Sequence, residues 1–554
     1  MYISRRSFIK GALSVGVAAV ASTAFYIKNK SPEEVATMID KATEGNADVL
    51  VVGGGIAGIF AAIRAVRNGA NVTLVDKGSV GRSGQTPFAN GFRVFDEDNG
   101  DDRETWVKDW NTVTGGIHHS GYLDNFMDYS KDIYEELESW GATDVGFGAV
   151  LRAKVQAEGV EIIERTMLTT LLEQNGQVAG AVGFKLDSEE AVVIKASAVI
   201  LCTGAGAFKP NGFQVRSLTS DGDAMAYRIG GQISGKEYVD THFTGSVNPA
   251  YCWGNWEDKW ETGMMKESGG PEVNGGGLDL TMYHAAHAMS GEQSDLPGEQ
   301  SDNRRGPEGA SEGGEMERGP GGGGAPGSGE GTQIGGASAG LGVHKCEGLF
   351  PADDKCGTNI KGLFAAGDSL SSMLAGAKYV GVNGTSLAAS ATQGALAGET
   401  AAEFIQSNEA LEIAEDTITS IKEEMFKPRE LTEGFDPAWV ADMLRFNTIP
   451  YYALYIKKAD RLQAALDNVV YLKEKYGNMM VASDAHELRL VHETRNMLLN
   501  AEMKLRASLY RTESRGNHYR EDFPEQNDTD WLAWVVIEKD ADGSMKLSKV
   551  AANS

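Results

Sequence analysis

The sequence predicts an α/β fold: a Rossmann-like nucleotide-binding domain, interrupted by an insertion and followed by a helical domain. Three observations carry this. A strand, a glycine turn, a helix, a second strand and an acid follow one another between Asn46 and Gly78. A second strand–turn–helix pattern, rich in small residues, occupies Gly357 to Phe404. From about Leu411 to Arg515 apolar residues recur at three- and four-residue intervals, the mark of helices with one buried face.

With 554 residues the chain has room for about two to four domains with cores of their own. The net charge of −27 argues against a nucleic-acid partner, because a phosphate backbone requires a basic face. An acidic surface serves solubility or recognition of a basic protein. Cys202, Cys252, Cys346 and Cys356 form no Cys-x-x-Cys and no haem-attachment motif. The chain is therefore expected to carry neither an iron–sulfur cluster nor a covalent haem of its own. Cys346 and Cys356 flank a short loop; they either pair after export or remain two thiols.

The first 30 residues read as a separate message. Ser4-Arg5-Arg6-Ser7-Phe8-Ile9-Lys10 resembles a twin-arginine export signal, and an apolar run from Gly11 to about Ile27 ends in small residues that suit a signal peptidase. The run falls short of the about 20 apolar residues of a spanning helix. Either it is cleaved, or it stays as an anchor. The expected location is periplasmic or otherwise exported. The route carries folded proteins, which fits a cofactor acquired before export.

Asp48 to Val52 is a short apolar run, as in a strand buried on both faces. Gly53, Gly55 and Gly58 follow in G-x-G-x-x-G spacing. The first allows a tight turn, the second lets a pyrophosphate approach the backbone, and the third lets helix and strand pack closely. The helix from Ile56 to about Asn68 aims its N-terminal amides and positive dipole end at that phosphate. Val72 to Val75 is the second strand; Asp76 ends it, placed to accept both ribose hydroxyls, with Lys77 beside it in the cofactor site. An acid there argues against NADP.

Residues 159–186 read as a strand, a corner at Met167 and a hairpin turning at Asn175-Gly176, with the Met167 strand reaching the adenine through its backbone. Ser197 to Phe208 is a strand running into a glycine turn, which brings Thr203 and Gly204 to the cofactor. The stretch near residue 360 decides between NAD and FAD. A strand from Gly362 to Ala366 ends in Gly367-Asp368, whose carboxylate can accept ribityl hydroxyls. Gly384-Thr385-Ser386-Leu387 then opens a small-residue helix to about Phe404, whose dipole can stabilise negative charge at a flavin's pyrimidine edge. A domain that holds only NAD has no use for this second site, so the cofactor is FAD.

At this point the chain resembles the flavoprotein subunits of the fumarate reductase/succinate dehydrogenase family, including the adenylylsulfate reductase branch. The likeness covers roughly residues 46–245 and 335–531. Gly81 to Phe92 resembles the family's flavin-contacting loop, which implies cofactor contacts from Ser83, Gly84, Gln85 and Thr86. Thr219 to Gly245 resembles its T-x-D-G…H-x-T-G run, which implies a cofactor role for Asp221 and substrate-side roles for His242 and Thr244, or support of the flavin loop by the latter two. Tyr510 to Trp531 resembles its E-S-R-G-x-H-x-R-x-D-x-P stretch, read as a polar network that is structural or faces a partner, with direct chemistry as the lesser reading.

The departures are informative. In the succinate branch a histidine of the first loop binds the flavin covalently; Ser83 to Thr86 contains none, which implies noncovalent FAD. Where that branch has a carboxylate-binding arginine, Gly376 to Gly381 offers only Lys378, a point charge without the bidentate fork. His344 stands beyond the glycine turn, on a hairpin rather than in the site.

The family's capping domain follows the H-x-T-G run; here residues 246–334 form a reduced version, with a glycine-rich stretch at about 290–331 too poor in apolar residues to offset its ordering entropy. Trp253, Trp256 and Trp260 either wall the flavin or pack as a small cap. Arg304, Arg305 and Arg318 are weak candidates for a displaced proton donor, since a catalytic acid needs fixed geometry. His284 with His287, and His118 with His119, read as surface residues rather than metal ligands. The C-terminal part ends in a hairpin turning at Ala541-Asp542-Gly543. Together these features predict an exported FAD oxidoreductase. It would pass electrons between a small-molecule substrate and a separate iron–sulfur or haem protein, with any membrane association through a partner or an uncleaved signal. A fumarate-type reductase of an unsaturated acid and a non-catalytic flavin carrier are the rival readings.

Overall fold

The computed structural model describes residues 30–88, 91–142, 148–208, 218–243, 341–345, 347–370, 385–449, 451–454, 456–516 and 518–552. The leader, the insertion, Cys346, Thr244, Lys378 and Gly384 lie outside these, as do the side chains of His242 and His344.

The nucleotide-binding part comprises α1 (Pro32–Asp40), β1 (Thr43–Val52), α2 (Ile56–Arg67), β2 (Val72–Val75), α3 (Arg103–Thr114), α4 (Ser120–Ser139), α5 (Gly148–Ala157), β3 (Glu161–Ile163), β4 (Thr166–Gln174), β5 (Gln177–Lys185), β6 (Ala191–Leu201), α6 (Asp221–Arg228), β7 (Ile233–Ser234), β8 (Asp240–Phe243), β9 (Leu341–Lys345), β10 (Leu363–Ala365) and α7 (Thr385–Ile405). The C-terminal part comprises α8 (Glu415–Phe426), α9 (Pro437–Thr448), β11 (Ile456–Lys457), α10 (Ala459–Tyr476), α11 (Ala485–Tyr510), β12 (Tyr519–Arg520), β13 (Ala533–Lys539) and β14 (Met545–Ala551).

The main sheet runs β3-β2-β1-β6-β5-β4, with β1, β2, β3 and β6 parallel. β1 starts earlier than its apolar run. Its polar first half pairs with β6 in unbroken order from Thr43 opposite Val192, so the long partner strand extends it. The β4–β5 hairpin turns through Asn175 and Gly176, both at positive φ, 55° and 77°. β6 shares one edge between two neighbours: residues 191–195 pair with β5 and residues 199–201 with β10. The segment beyond the insertion thereby returns to the sheet that the first segment began.

One core lies between this sheet and α2, α4 and α7. A second joins the other side of the β4–β6 meander, through Met167, Val182, Phe184 and Val193, to Phe426, Leu444, Leu498 and Leu505 of the C-terminal helices. α11 is capped by Asp484, whose carboxylate accepts the Glu487 amide at 2.8 Å. It ends at Tyr510, short of the predicted Arg515, because the next residues leave the helix to form a buried ionic network. The β13–β14 hairpin turns at Gly543, φ 84°, and β13 also pairs with β7, which fastens the chain's end to the nucleotide-binding part.

The network centres on Arg511. Its Nε donates to Glu237 at 2.9 Å, Nη1 to Glu513 at 2.7 Å and to the Trp531 carbonyl at 3.0 Å, and Nη2 to the Ala533 carbonyl at 2.5 Å. The guanidinium sits 5.4 Å from the Tyr238 ring and 5.3 Å from Trp531. Arg515 shares Glu513 at 2.8 and 3.0 Å. The Glu-Ser-Arg-Gly-x-His-x-Arg stretch is thus a structural joint between the two parts of the chain.

His118 and His119 are not the surface residues expected. His118 is buried against Thr114, and the His119 ring stacks on Trp534 at 4.8 Å; burial, and then its neighbour His118, push it down to about 4. The cause is the C-terminal hairpin, which covers this stretch from more than 400 residues away in sequence. Cys356 is a buried free thiol that donates to the Gln393 carbonyl at 3.4 Å.

Two outcomes are expected. Arg511→Ala leaves Glu237 and Glu513 buried with less compensation and should cost about 3–5 kcal/mol in urea unfolding; Arg511→Lys, lacking the fork, should recover less than half of it. His492 is half-buried on α11 with its Nε2 at 3.0 Å from the Met425 carbonyl, and desolvation, with Arg495 nearby, pushes it down to about 3. An unfolded histidine titrates near about 6.5. The folded state therefore disfavours the charged ring: this stability is whole above about pH 6.5 and is lost as pH falls from there toward about 3. His492→Gln should make the acid limb of the stability–pH curve shallower.

Candidate cofactor site

The first grip is a turn in which only glycine fits. An added Cβ on Gly53, φ +108°, would stand 2.2 Å from the Cys202 carbonyl oxygen, and one on Gly58 would stand 1.8 Å from the Gly53 carbonyl oxygen. α2 starts at Gly55 with no side-chain cap. Its first amide, Ile56, donates to Thr86 Oγ1 at 3.0 Å, and the next amides face the open end of the helix, where an anion is favoured. Asp76 is buried and braces the turn: Oδ2 accepts the Gly54 amide and Oδ1 the Gly78 amide, each at 2.7 Å.

The loop after Asp76 is strapped from below. Ser83 Oγ accepts the Ser79 amide at 2.5 Å. Gly81 and Gly148 pass backbone to backbone, with no room for a Cβ on either. Glu164 accepts Ser79 Oγ and the Val80 amide, both at 2.9 Å, and takes Arg152 through Nε and Nη2 at 3.0 and 2.9 Å. The Arg152 hydrogen bond leads the effects that hold its pKa at about 2. Arg165, at φ 53°, turns the chain so that its amide reaches the Gly78 carbonyl at 3.0 Å.

The second grip meets the first. Asp368 lies just past β10; Ser386, at the start of α7, donates to its Oδ1 at 3.2 Å, and Gln85 of the first loop approaches its Oδ2 at 3.5 Å. Thr385 and Leu387 are buried in the first turns of α7. Thr203 Oγ1 accepts the Gly222 amide at 3.2 Å and lies 3.1 Å from Ser369 Oγ, joining the β6 turn to α6 and to the Asp368 loop. Gly204 makes that turn at φ 76°, and Gly84 sits at φ 71° facing open space.

Lys77 and Asp221 stand together: Lys77 Nζ donates to Asp221 at 2.7 Å, to Thr219 at 3.0 Å and to Glu493 of α11 at 2.7 Å. Burial opposes both charges, but the pairing outweighs it, raising the pKa of Lys77 and lowering that of Asp221. The Met167 side chain packs in the second core. His242 stands on β8 opposite Gly342 of β9. Ser369, Gln393, Glu164 and Glu493 escaped the sequence reading. Gln393, buried in a helix of small residues with Oε1 accepting the Gly367 amide at 3.0 Å, was signalled by its isolation; the others depend on partners far away in sequence.

These residues fit a flavin dinucleotide. The glycine cradle and uncapped helix suit its diphosphate, the buried acid that ends β2 suits a ribose, and Asp368, Ser386 and Gln85 form a polar group where two segments converge. The comparisons agree. Residues 48–149 and 142–252 match the family described as FAD binding domain, and residues 447–553 match the fumarate reductase flavoprotein C-terminal family. The chain is 27% identical over 544 residues to one chain of the CoM/CoB fumarate reductase of Methanothermobacter marburgensis, covering 89% of this chain and 97% of that one. It is 27% identical over 540 residues to an uncharacterized FAD-dependent oxidoreductase of Methanocaldococcus jannaschii, covering 88% and 96%. Its fold is similar to Escherichia coli quinol fumarate reductase, TM-score 0.70 at 20% identity over 92% and 97% of the two chains. It is also similar to adenylylsulfate reductase of Archaeoglobus fulgidus, TM-score 0.69 at 20% identity over 95% and 98%.

Glu164→Ala removes charge-assisted hydrogen bonds that hold the first loop, worth about 1.5–3 kcal/mol. FAD titration of the apoprotein should show a dissociation constant raised about tenfold or more, with Glu164→Gln in between.

Proposed function

The chain is an FAD-dependent oxidoreductase of the fumarate reductase/succinate dehydrogenase flavoprotein family, and on that premise we propose that it is exported and passes electrons between a small-molecule substrate and a separate iron–sulfur or haem protein. FAD supplies hydride exchange with the substrate and single-electron exchange with the partner. The protein's share is position and polarity. The Gly53–Gly58 turn and the α2 amides hold the diphosphate, Asp368 with Ser386 orients the ribityl end, and the α7 N-terminus favours an anionic ring edge. The flavin is held noncovalently, since Ser83 to Thr86 offers no histidine.

The observation that carries the need for a partner is the cysteine pattern: four cysteines without a Cys-x-x-Cys give the chain no relay of its own. His242 and Thr244 are the proposed substrate-side groups, a carboxylate or carbonyl contact and a hydrogen bond to it. β8, which bears His242, follows directly on the stretch bearing Glu237, so the buried Arg511 network steadies its approach.

A second reading, a fumarate-type reductase of an unsaturated acid, is favoured by the Methanothermobacter marburgensis relative. It is opposed by Lys378 standing where the family's carboxylate-binding arginine is expected. Anaerobically reduced protein should be reoxidised by one member of a panel of unsaturated acids, ketones, phenols and sulfur oxyanions. His242→Ala should slow that reoxidation at least about tenfold while the flavin spectrum is kept. Reoxidation by fumarate alone would install the second reading. Reoxidation by a co-purified cytochrome and by no small molecule would make the chain a flavin carrier.

A further inference from the structure

We propose that the outer face of α9 and the C-terminal end of α10 is a bilayer-interface contact that acts together with an uncleaved N-terminal apolar segment. The inference rests on the reading of residues 1–30 as an export signal that can stay uncleaved.

Of the seven large apolar side chains exposed among the described residues, four lie here: Trp439 and Phe446 on α9, Tyr471 on α10, and Met479 just beyond it. Trp439 and Phe446 are seven residues apart on one side of α9, while Val440, Ala441 and Leu444 of the same helix are buried. The rings form a continuous surface: Phe435 stacks on Trp439 at 6.0 Å, and Tyr476 meets Phe435 at 4.6 Å, Trp439 at 5.4 Å and Tyr471 at 5.9 Å. Lys475 Nζ lies 5.2 Å from the Tyr471 ring and donates to the Tyr471 hydroxyl at 2.8 Å. Tryptophan, tyrosine and a snorkelling lysine are the residue types that favour the boundary between water and lipid.

The described residues begin at Lys30, and a relay of bonds links it to the segment that carries Met479. Lys30 pairs with Glu189 at 2.8 Å, Glu189 with Arg429 at 2.9 Å, and Arg429 donates to the Ala482 carbonyl at 2.6 Å. Ala482 follows Met479 by three residues, and Met479 accepts the Phe435 amide at 2.8 Å. The segment ahead of Lys30 contains Gly11 to Ile27, 17 residues without a charge. That is short of the about 20 apolar residues a membrane span needs, and it is enough apolar chain for an interfacial contact. Among the described residues no helix is long and apolar enough to cross a membrane. Left uncleaved, the leader holds the body at a lipid surface, and the α9–α10 face gathers four of the seven large apolar side chains exposed among the described residues.

The charge of −27 rules out attraction to anionic lipid as the driving force. On the face itself Lys473 and Lys475 are offset by Asp436, Asp442 and Glu474. The contact is therefore apolar, insensitive to salt and indifferent to anionic headgroups.

The test is flotation of the full-length, FAD-loaded chain with phosphatidylcholine vesicles at low and high salt. The parent should float at both. Trp439→Ser/Tyr471→Ser/Met479→Ser should lower the bound fraction at least about fivefold with an unchanged flavin spectrum. A variant that floats like the parent overturns the proposal, since the leader alone then accounts for binding. So does a parent that does not float, or a variant whose only change is dissociation of a dimer by light scattering, which would assign the face to a second copy. Cell fractionation of Arg5→Lys/Arg6→Lys tests the export reading separately: loss of export upholds that reading whatever the vesicles show.

Discussion

The architecture depends on how closely two helices approach. α2 and α7 come from segments more than 300 residues apart, yet they touch backbone to backbone. A Cβ on Gly394 would stand 2.1 Å from the Ala57 carbonyl oxygen, and one on Gly398 2.2 Å from that of Ala61. Ala57 lies in the first turn of α2, beside the glycine cradle, and Gly367 presses on it from the strand side. Because no side chain separates the helices, the diphosphate end and the Asp368 end of the site are placed by one rigid contact. A methyl group at Gly394 would push α7 outward and open the gap between Gln85 and Asp368.

The electrostatics have two layers that serve this contact. Near the cofactor, acids brace backbone: Asp76 takes two amides of the glycine turn, and Glu164 takes the amide and hydroxyl of the following loop with Arg152 behind it. Further out, Arg511, Glu513, Arg515 and Glu237 lock the C-terminal part to the stretch leading into β8. Lys77 links the layers, since it bonds both Asp221 of α6 and Glu493 of α11. Buried pairs of this kind add little net stability over apolar packing but strongly penalise any arrangement that separates them. They fix the relation between the cofactor site and the helical part that covers it.

The sequence showed best what depends on local pattern. The strand–glycine–helix unit, the Asn175-Gly176 hairpin, the α7 helix and the terminal hairpin each carry their signal within about 20 residues, so their places were legible. What depends on distant partners was not. β1 extends to Thr43 only because β6 is long enough to pair with it. His119 is covered by Trp534, which no local pattern announces. Glu164 sits in an unremarkable stretch, and its role emerges only when α5 brings Arg152 and the β2 loop brings Val80 to it. Of the substrate-side residues, His242 has a place in the β8–β9 ladder, while Thr244 and Lys378 fall outside the described residues.

Two separated segments that close on one FAD molecule as a unit must both be ordered by it. Hydrogen exchange of the full-length protein, with and without FAD, reads that ordering in each segment separately. FAD should slow exchange in the first turns of both α2 and α7, with the same dependence on FAD concentration. Slowing confined to α2, with α7 exchanging alike in both states, would contradict it.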